Sequence, residues 1–175
     1  YTTYNPRQTF SLKDIVPTEV DNYYRYKKVH GYVHDMGAAM QGGIGGHAGI
    51  FSNANDVAKI MQMYLQKGFY GGKRYFKSET IDKFNTCYFC ESDNRRGIGF
   101  DKPQLGEEGP TCGCISMTSF GHSGFTGTYA WADPEEEIVY VFLANRTYPQ
   151  AGKNLLLREN IRTEIQRLIY EAIIE

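Results

Sequence analysis

The chain has 175 residues, of which 41% are hydrophobic and 22% charged, enough apolar material to bury a core and too much for a disordered segment. Its formal net charge of -1 gives no bulk electrostatic reason to bind nucleic acid or an anionic membrane. The longest apolar run, Ile138 to Ala144, is strand-length and falls far short of the roughly 20 residues that cross a bilayer.

The chain opens without Met, on Tyr1-Thr2-Thr3-Tyr4, and with no signal-peptide pattern, as a processed or excised piece would. Residues 1–35 show little periodicity, and Pro6 and Pro17 interrupt them; they read as an extended, loop-rich lead-in packed on something else. Five of the 14 tyrosines fall within the first 26 residues. An apolar ring with a polar tip suits loop packing first, and a sugar-binding surface second. The Gly-rich stretch Gly37 to Gly49 implies unusual backbone angles or close backbone packing.

A helix follows. Asn53 can cap it, Asp56 falls in its first turn, and Val57, Ile60, Met61, Tyr64 and Leu65 make one apolar face, with Gly68 as its stop. Gly71-Gly72 predicts a turn and Ser78 to Phe84 a short helix. Gly97-Ile98-Gly99-Phe100 reads as a short strand, and 101–114 as a loop. Thr126 to Ala132 alternates, Asp133-Pro134-Glu135-Glu136 is a turn signal, and Ile138 to Ala144 is continuous and apolar, as a central strand would be. A long helix over 153–174 closes the chain, with Ile161, Ile165, Leu168, Ile169 and Ala172 as its stripe.

Cys87-x-x-Cys90 and Cys112-x-Cys114 allow three states. Free buried thiols come first, then a disulfide between the two clusters if the protein is exported, and a zinc site last. No metal or cofactor is otherwise expected. His34, Asp35 and His47 are metal-ligand types, but tying down the Gly-rich loop is the favoured role. Ser92-Asp93-Asn94 is a solvated-loop coincidence with a penicillin-binding motif, and Gly43-x-Gly45-x-x-Ala48 lacks the strand-then-helix context of a dinucleotide site.

The informative string is Phe120-Gly121-His122-Ser123-Gly124-Phe125-Thr126-Gly127-Thr128. A basic side chain, a hydroxyl and a glycine in a row on a strand edge suit acyl transfer. His122 and Gly124 share a strand face, and the Phe125 N–H can point at a developing oxyanion. Here the sequence resembles the serine β-lactamase and penicillin-binding-protein superfamily, whose active-site strand carries a K-T-G or H-x-G box. The resemblance extends, in order, over Pro17-Thr18-Glu19, Val33-His34-Asp35, Gly42 to Ser52, Asp56-Val57-Ala58-Lys59, Trp131-x-Asp133-Pro134 and Asn145-Arg146. It matches the C-terminal portion of a class C-like serine hydrolase, of the kind sometimes fused to family 3 glycoside hydrolases.

The resemblance implies an α/β (α+β) fold: an antiparallel sheet flanked by helices, with the C-terminal helix packed on it. It places residues 1–175 in one domain that holds only the later strands, so the sheet is expected to be incomplete. It implies that His122 holds substrate or the proton network, Ser123 binds a substrate carboxylate or carbonyl, Gly124 gives clearance and the Phe125 N–H is half of the oxyanion hole. Asn145 and Arg146 are expected at the substrate cleft or in a structural ion pair.

The departure is the nucleophile. None of Ser11, Ser52, Ser78, Ser92, Ser116, Ser119 and Ser123 has Lys three residues on, and the Tyr-x-Asn element is absent. Both are expected upstream of Tyr1, which leaves this chain inactive by itself, since a Ser without an adjacent base is a weak nucleophile. The resemblance further implies a bacterial cell-envelope setting, periplasmic or extracytoplasmic, and a small-molecule or peptide substrate. An unpaired sheet edge predicts a dimer, or an upstream segment that completes the sheet. The alternative is a non-catalytic binding or accessory module for cell-wall peptides or glycans.

Overall fold

The computed structural model describes residues 1–92, 94–104, 109–152 and 154–173. Asp93 of the Ser92-Asp93-Asn94 triplet, positions 105–108 of the 101–114 loop, and the two ends of the expected 153–174 helix lie outside the described residues.

The lead-in is more ordered than its sequence predicts. Two 3-10 turns, Pro6–Gln8 and Leu12–Asp14, precede β1 (Pro17–Asp21), which pairs antiparallel with β2 (Lys27–His30). This hairpin is invisible to a hydrophobic-pattern reading because its buried positions include Thr18, Glu19 and Asp21. Asp35 caps the short α1 (Met36–Met40), accepting a hydrogen bond from the Ala38 N–H at 2.7 Å.

The next elements follow the sequence signals. In α2 (Ala54–Leu65), Asn53 accepts from the Asp56 N–H at 2.9 Å, as its N-cap position predicts. Gly68 ends that helix at φ +86°, its N–H bonded to the Met63 carbonyl. Gly71 and Gly72, both at positive φ, turn the β3 (Phe69–Tyr70) and β4 (Lys73–Arg74) hairpin. α3 spans Ser78–Asn85. The expected strand at residues 97–100 is instead a tight turn. The Gly97 N–H returns to the Phe100 carbonyl at 2.9 Å, and pairing occurs only at the flanking Arg96 and Asp101.

The main sheet is antiparallel, β5 (Phe120–Ser123), β6 (Tyr129–Asp133) and β7 (Ile138–Phe142), in the order β5-β6-β7. The continuous apolar run is therefore an edge strand among the described residues, not the central one. Its two apolar faces answer to layers on both sides of the sheet. On one face Phe120, Ala132 and Val139 pack with Met61 and Val57 of α2. On the other, Tyr129, Trp131 and Tyr140 pack with Ile165 and Ile169.

The single long terminal helix is divided in two, α4 (Leu155–Arg158) and α5 (Ile161–Glu171), at Asn160, whose φ is +50°. The α5 face toward the sheet is also rotated from the expected stripe. Leu168 is exposed, whereas Gln166 and Tyr170 are buried. Gln166 Oε1 accepts from the Cys112 N–H at 3.1 Å while its Nε2 has no partner among the described residues, and the Tyr170 hydroxyl donates to Asp133 at 2.7 Å. The result is an antiparallel sheet flanked by helices, the expected α/β arrangement.

The cysteines depart from the expected states. All four are oxidised, and they pair within their motifs, Cys87 with Cys90 and Cys112 with Cys114, not across them. Curling of each short motif brings its own two sulfurs together, which removes both the free thiols and the four-sulfur zinc geometry. No helix among the described residues is long and apolar enough to cross a membrane.

Candidate active site

The Phe120 to Thr128 string builds the end of β5 and the turn into β6. Strand pairing sets His122 opposite Ala130 and Ser123 opposite Tyr129. His122 therefore lies on the α2 face, with Phe120 and Ala130, and Ser123 on the α5 face, with Tyr129. The Gly124 N–H still bonds the Thr128 carbonyl at 2.8 Å, and the Gly127 N–H closes a β-turn onto the Gly124 carbonyl at 3.0 Å. Gly127 sits at φ +105°, which a side chain would resist. Gly124 meets a near neighbour of its own, since a Cβ there would run into the Thr128 hydroxyl. Gly121 likewise faces the Trp131 ring.

The turn places Phe125 at its first central position. Among the described residues nothing accepts a hydrogen bond from the Phe125 N–H. The Phe125 ring is held from two directions. The His34 ring lies 5.1 Å away, and the Arg146 guanidinium stands 4.2 Å from the ring centroid. Arg146 is itself fixed, its N–H bonded to the Thr126 carbonyl at 2.9 Å and its side chain to Ala151 O at 3.2 Å. Three motifs far apart in sequence thus meet at one ring: Val33-His34-Asp35, the His122 box and Asn145-Arg146. Arg146 forms no ion pair among the described residues and packs on Phe125 instead, and Asn145 ties the exit of β7 to Pro17 O at the start of β1.

His122 is half exposed. A carbonyl only accepts, so Nδ1 donates to Ser123 O at 2.8 Å, which leaves Nε2 free to face outward. That Nε2 stands 3.8 Å from Asp101 Oδ2, an ion-pair separation too long for a hydrogen bond. Asp101 is positioned by two backbone hydrogen bonds with Gly121 and by Arg96 at 2.6 Å. Asp101 was not legible as a site neighbour, since its contact with His122 spans 21 positions and depends on the 97–100 turn.

Behind the site lies a charged cluster on the β1–β2 hairpin. Arg25 bonds Glu19 at 2.7 Å and Asp21 at 2.6 Å, and reaches the Val33 and His34 carbonyls. Burial opposes ionisation of Asp21. The Arg25 guanidinium and the backbone N–H groups of Tyr24, Tyr23 and Arg25 outweigh it and hold the carboxyl well below the usual range. His34 Nε2 is buried 3.3 Å from a Glu19 carboxylate oxygen, yet it has no hydrogen-bond partner among the described residues. Asp35 and His47 pair at 2.9 Å beside the Gly-rich loop, the tying role expected of them. No group of three or more metal-ligating side chains forms among the described residues.

Comparison with known proteins points to the same family. The chain is 33% identical over 173 residues to a protein of Escherichia coli (strain K12) named "Putative D-alanyl-D-alanine carboxypeptidase", a match covering 89% of this chain and 39% of that protein. A protein of the same name from Salmonella agona (strain SL483) is 32% identical over 161 residues, covering 85% of this chain and 37% of the relative. The chain thus spans about two fifths of the length of these relatives. Residues 3–161 match the Beta-lactamase family, and the chain belongs to that family.

Proposed function

We propose that residues 1–175 are the C-terminal portion of a β-lactamase-like domain and supply the substrate-facing strand of a serine hydrolase that works through an acyl-enzyme. In this reading the nucleophilic Ser and its Lys lie on a Ser-x-x-Lys segment outside this chain. The Ser attacks a substrate carbonyl as its proton passes to the Lys. The tetrahedral intermediate collapses to the acyl-enzyme as the bond to the amine or alcohol breaks and that leaving group departs with the proton. The Phe125 N–H donates to the oxyanion, and water later releases the acyl group. His122 Nε2 serves the proton network or holds substrate, Ser123 binds a substrate oxygen, and Gly124 keeps the strand edge low. The observation that supports this reading is the Phe125 N–H, without an acceptor among the described residues, in a turn whose Phe125 ring is packed by His34 and Arg146.

Peptide or amide substrates, D-alanyl-D-alanine termini among them, are the favoured class, by analogy with the names of the relatives. The two cystines support maturation in an oxidising compartment, and hence an extracytoplasmic site. The missing nucleophile segment, or a second copy, completes the sheet.

The test is labelling by fluorescent fluorophosphonate and penicillin probes, comparing this chain with the longer gene product. Labelling of the longer protein alone is expected. Labelling of this chain by itself, lost in Ser123→Ala, would move the nucleophile to Ser123. Labelling of neither would leave a non-catalytic module as the better reading.

A further inference from the structure

A second concave site lies away from His122, along β2. It is a cleft of about 580 Å³, inside the roughly 300–1,000 Å³ range of ligand-sized sites. All four β2 residues, Lys27, Lys28, Val29 and His30, line it. Successive side chains of a strand point to opposite faces, so a cleft touched by four in a row runs along the strand's edge, not over one face. That edge is open. Among the described residues β2 pairs only with β1, and the wall facing it is formed by Arg7, Leu12, Tyr32 and Ala39.

The charge is one-sided. Arg7, Lys27 and Lys28 have no carboxylate within ion-pair distance among the described residues, and no Asp or Glu lines the cleft. Arg25 also reaches it, already neutralised from behind by Glu19 and Asp21. On a chain of net charge -1 this is a local reversal of sign.

We propose that the outer edge of β2 is a docking site for an extended acidic peptide of a partner protein, which adds as a third strand. Main-chain hydrogen bonds to the open edge supply affinity, and Arg7, Lys27 and Lys28 select acidic side chains. Lysines on an edge strand also repel a second copy of the same edge, because like charges set opposite each other destabilise a strand pair. The same residues therefore exclude self-pairing and admit a complementary strand. The proposal is independent of the hydrolase reading.

The experiment is fluorescence anisotropy of this chain with a labelled peptide of about eight alternating Glu and Val residues. Three probes compete: the same peptide with its two central Val replaced by Pro, a Lys-for-Glu counterpart, and an oligomer of galacturonic acid. The Glu-Val peptide is expected to bind, with the Pro and Lys versions weaker by at least roughly tenfold, a loss of about 1.4 kcal/mol. The exposed double variant K27E/K28E is expected to reverse the preference toward the Lys peptide, a gain that an unfolded variant would not show. Equal binding of the Pro peptide, or equal competition by the galacturonate oligomer, would reduce the cleft to a non-specific polyanion patch and overturn the proposal. A dimer that K27E/K28E dissolves would overturn it in favour of a second copy.

Discussion

The β5–β7 sheet and the β1–β2 hairpin bury their residues by opposite means. The sheet closes over Trp131, Tyr129 and Tyr140 on one face and over Phe120, Ala132 and Met61 on the other. The hairpin closes over Glu19, Asp21 and Thr18, held by Arg25. Apolar burial is non-directional and tolerates local adjustment, whereas a buried ion cluster is stable only while each charge keeps its partners. The two regions nevertheless meet at Phe125, whose ring rests on His34 from the hairpin side and on Arg146 beyond β7. The candidate oxyanion donor thus depends on both kinds of cohesion.

The comparison predicts distinct failures. Trp131, 1% exposed and stacked on Tyr129, also donates its indole N–H to Ser119. Trp131→Ala is expected to cost about 3–5 kcal/mol in urea unfolding, a global loss. Arg25→Met is expected to act locally instead. Glu19 and Asp21 would be left without their cation, and hydrogen exchange at Val20 and Val29 would rise by a factor of roughly a hundred, the scale of a buried ion pair deprived of one member. Amides of β6 would keep their protection. A uniform loss across both regions would mean that the hairpin and the sheet unfold as one unit.

What the sequence reveals divides along the same line. The α2 cap, its stripe apart from the exposed Ile60, the Gly71-Gly72 turn, α3 and the β6–β7 hairpin are legible, because apolar period and turn chemistry are local signals. The β1–β2 hairpin is not, since its inward residues are the charged ones. The α5 stripe misleads for a related reason: hydrogen bonds make Gln166 and Tyr170 buried residues and leave Leu168 outside. At the site, the box from His122 to Phe125 can be read directly. The partners that fix it, His34, Asp101 and Arg146, depend on chain crossings that no local pattern encodes.

Asp133 tests the seam between sheet and helix. It accepts from the Ser116 N–H and hydroxyl, the Glu135 N–H and the Tyr170 hydroxyl. Burial raises its carboxyl, but these donors prevail and hold it below the ordinary 3.8. Its stabilisation is therefore complete above that value and fades as pH falls through the folded-state pKa. Asp133→Asn is expected to cost about 1–3 kcal/mol at pH 7, because an amide cannot accept from all four donors. The same variant should lose part of the wild-type decline in acid. An unchanged acid limb would transfer that decline to other carboxylates.

The smallest effect belongs to Lys102, a cation buried beside the apolar face of the sheet. Its ammonium donates to Thr118 O at 2.7 Å and lies 5.8 Å from the Phe120 ring centroid. Burial, with Arg95 adding repulsion and Asp133 opposing it, pushes its pKa down to about 8 from the ordinary 10.5. Below pH 8 both folded and unfolded chains carry the proton, and stability does not respond. Between about 8 and 10.5 the unfolded chain holds a proton that the folded chain has released, so stability rises with pH. The gain from pH 7 to pH 9 is on the order of 1 kcal/mol. Lys102→Met removes the titration and keeps the length of the side chain, so its urea midpoint should stay flat relative to wild type over that interval. Parallel curves for the two proteins would show that the lysine remains charged in place, and that the aromatic face of Phe120 and the Thr118 carbonyl suffice to solvate an ammonium there.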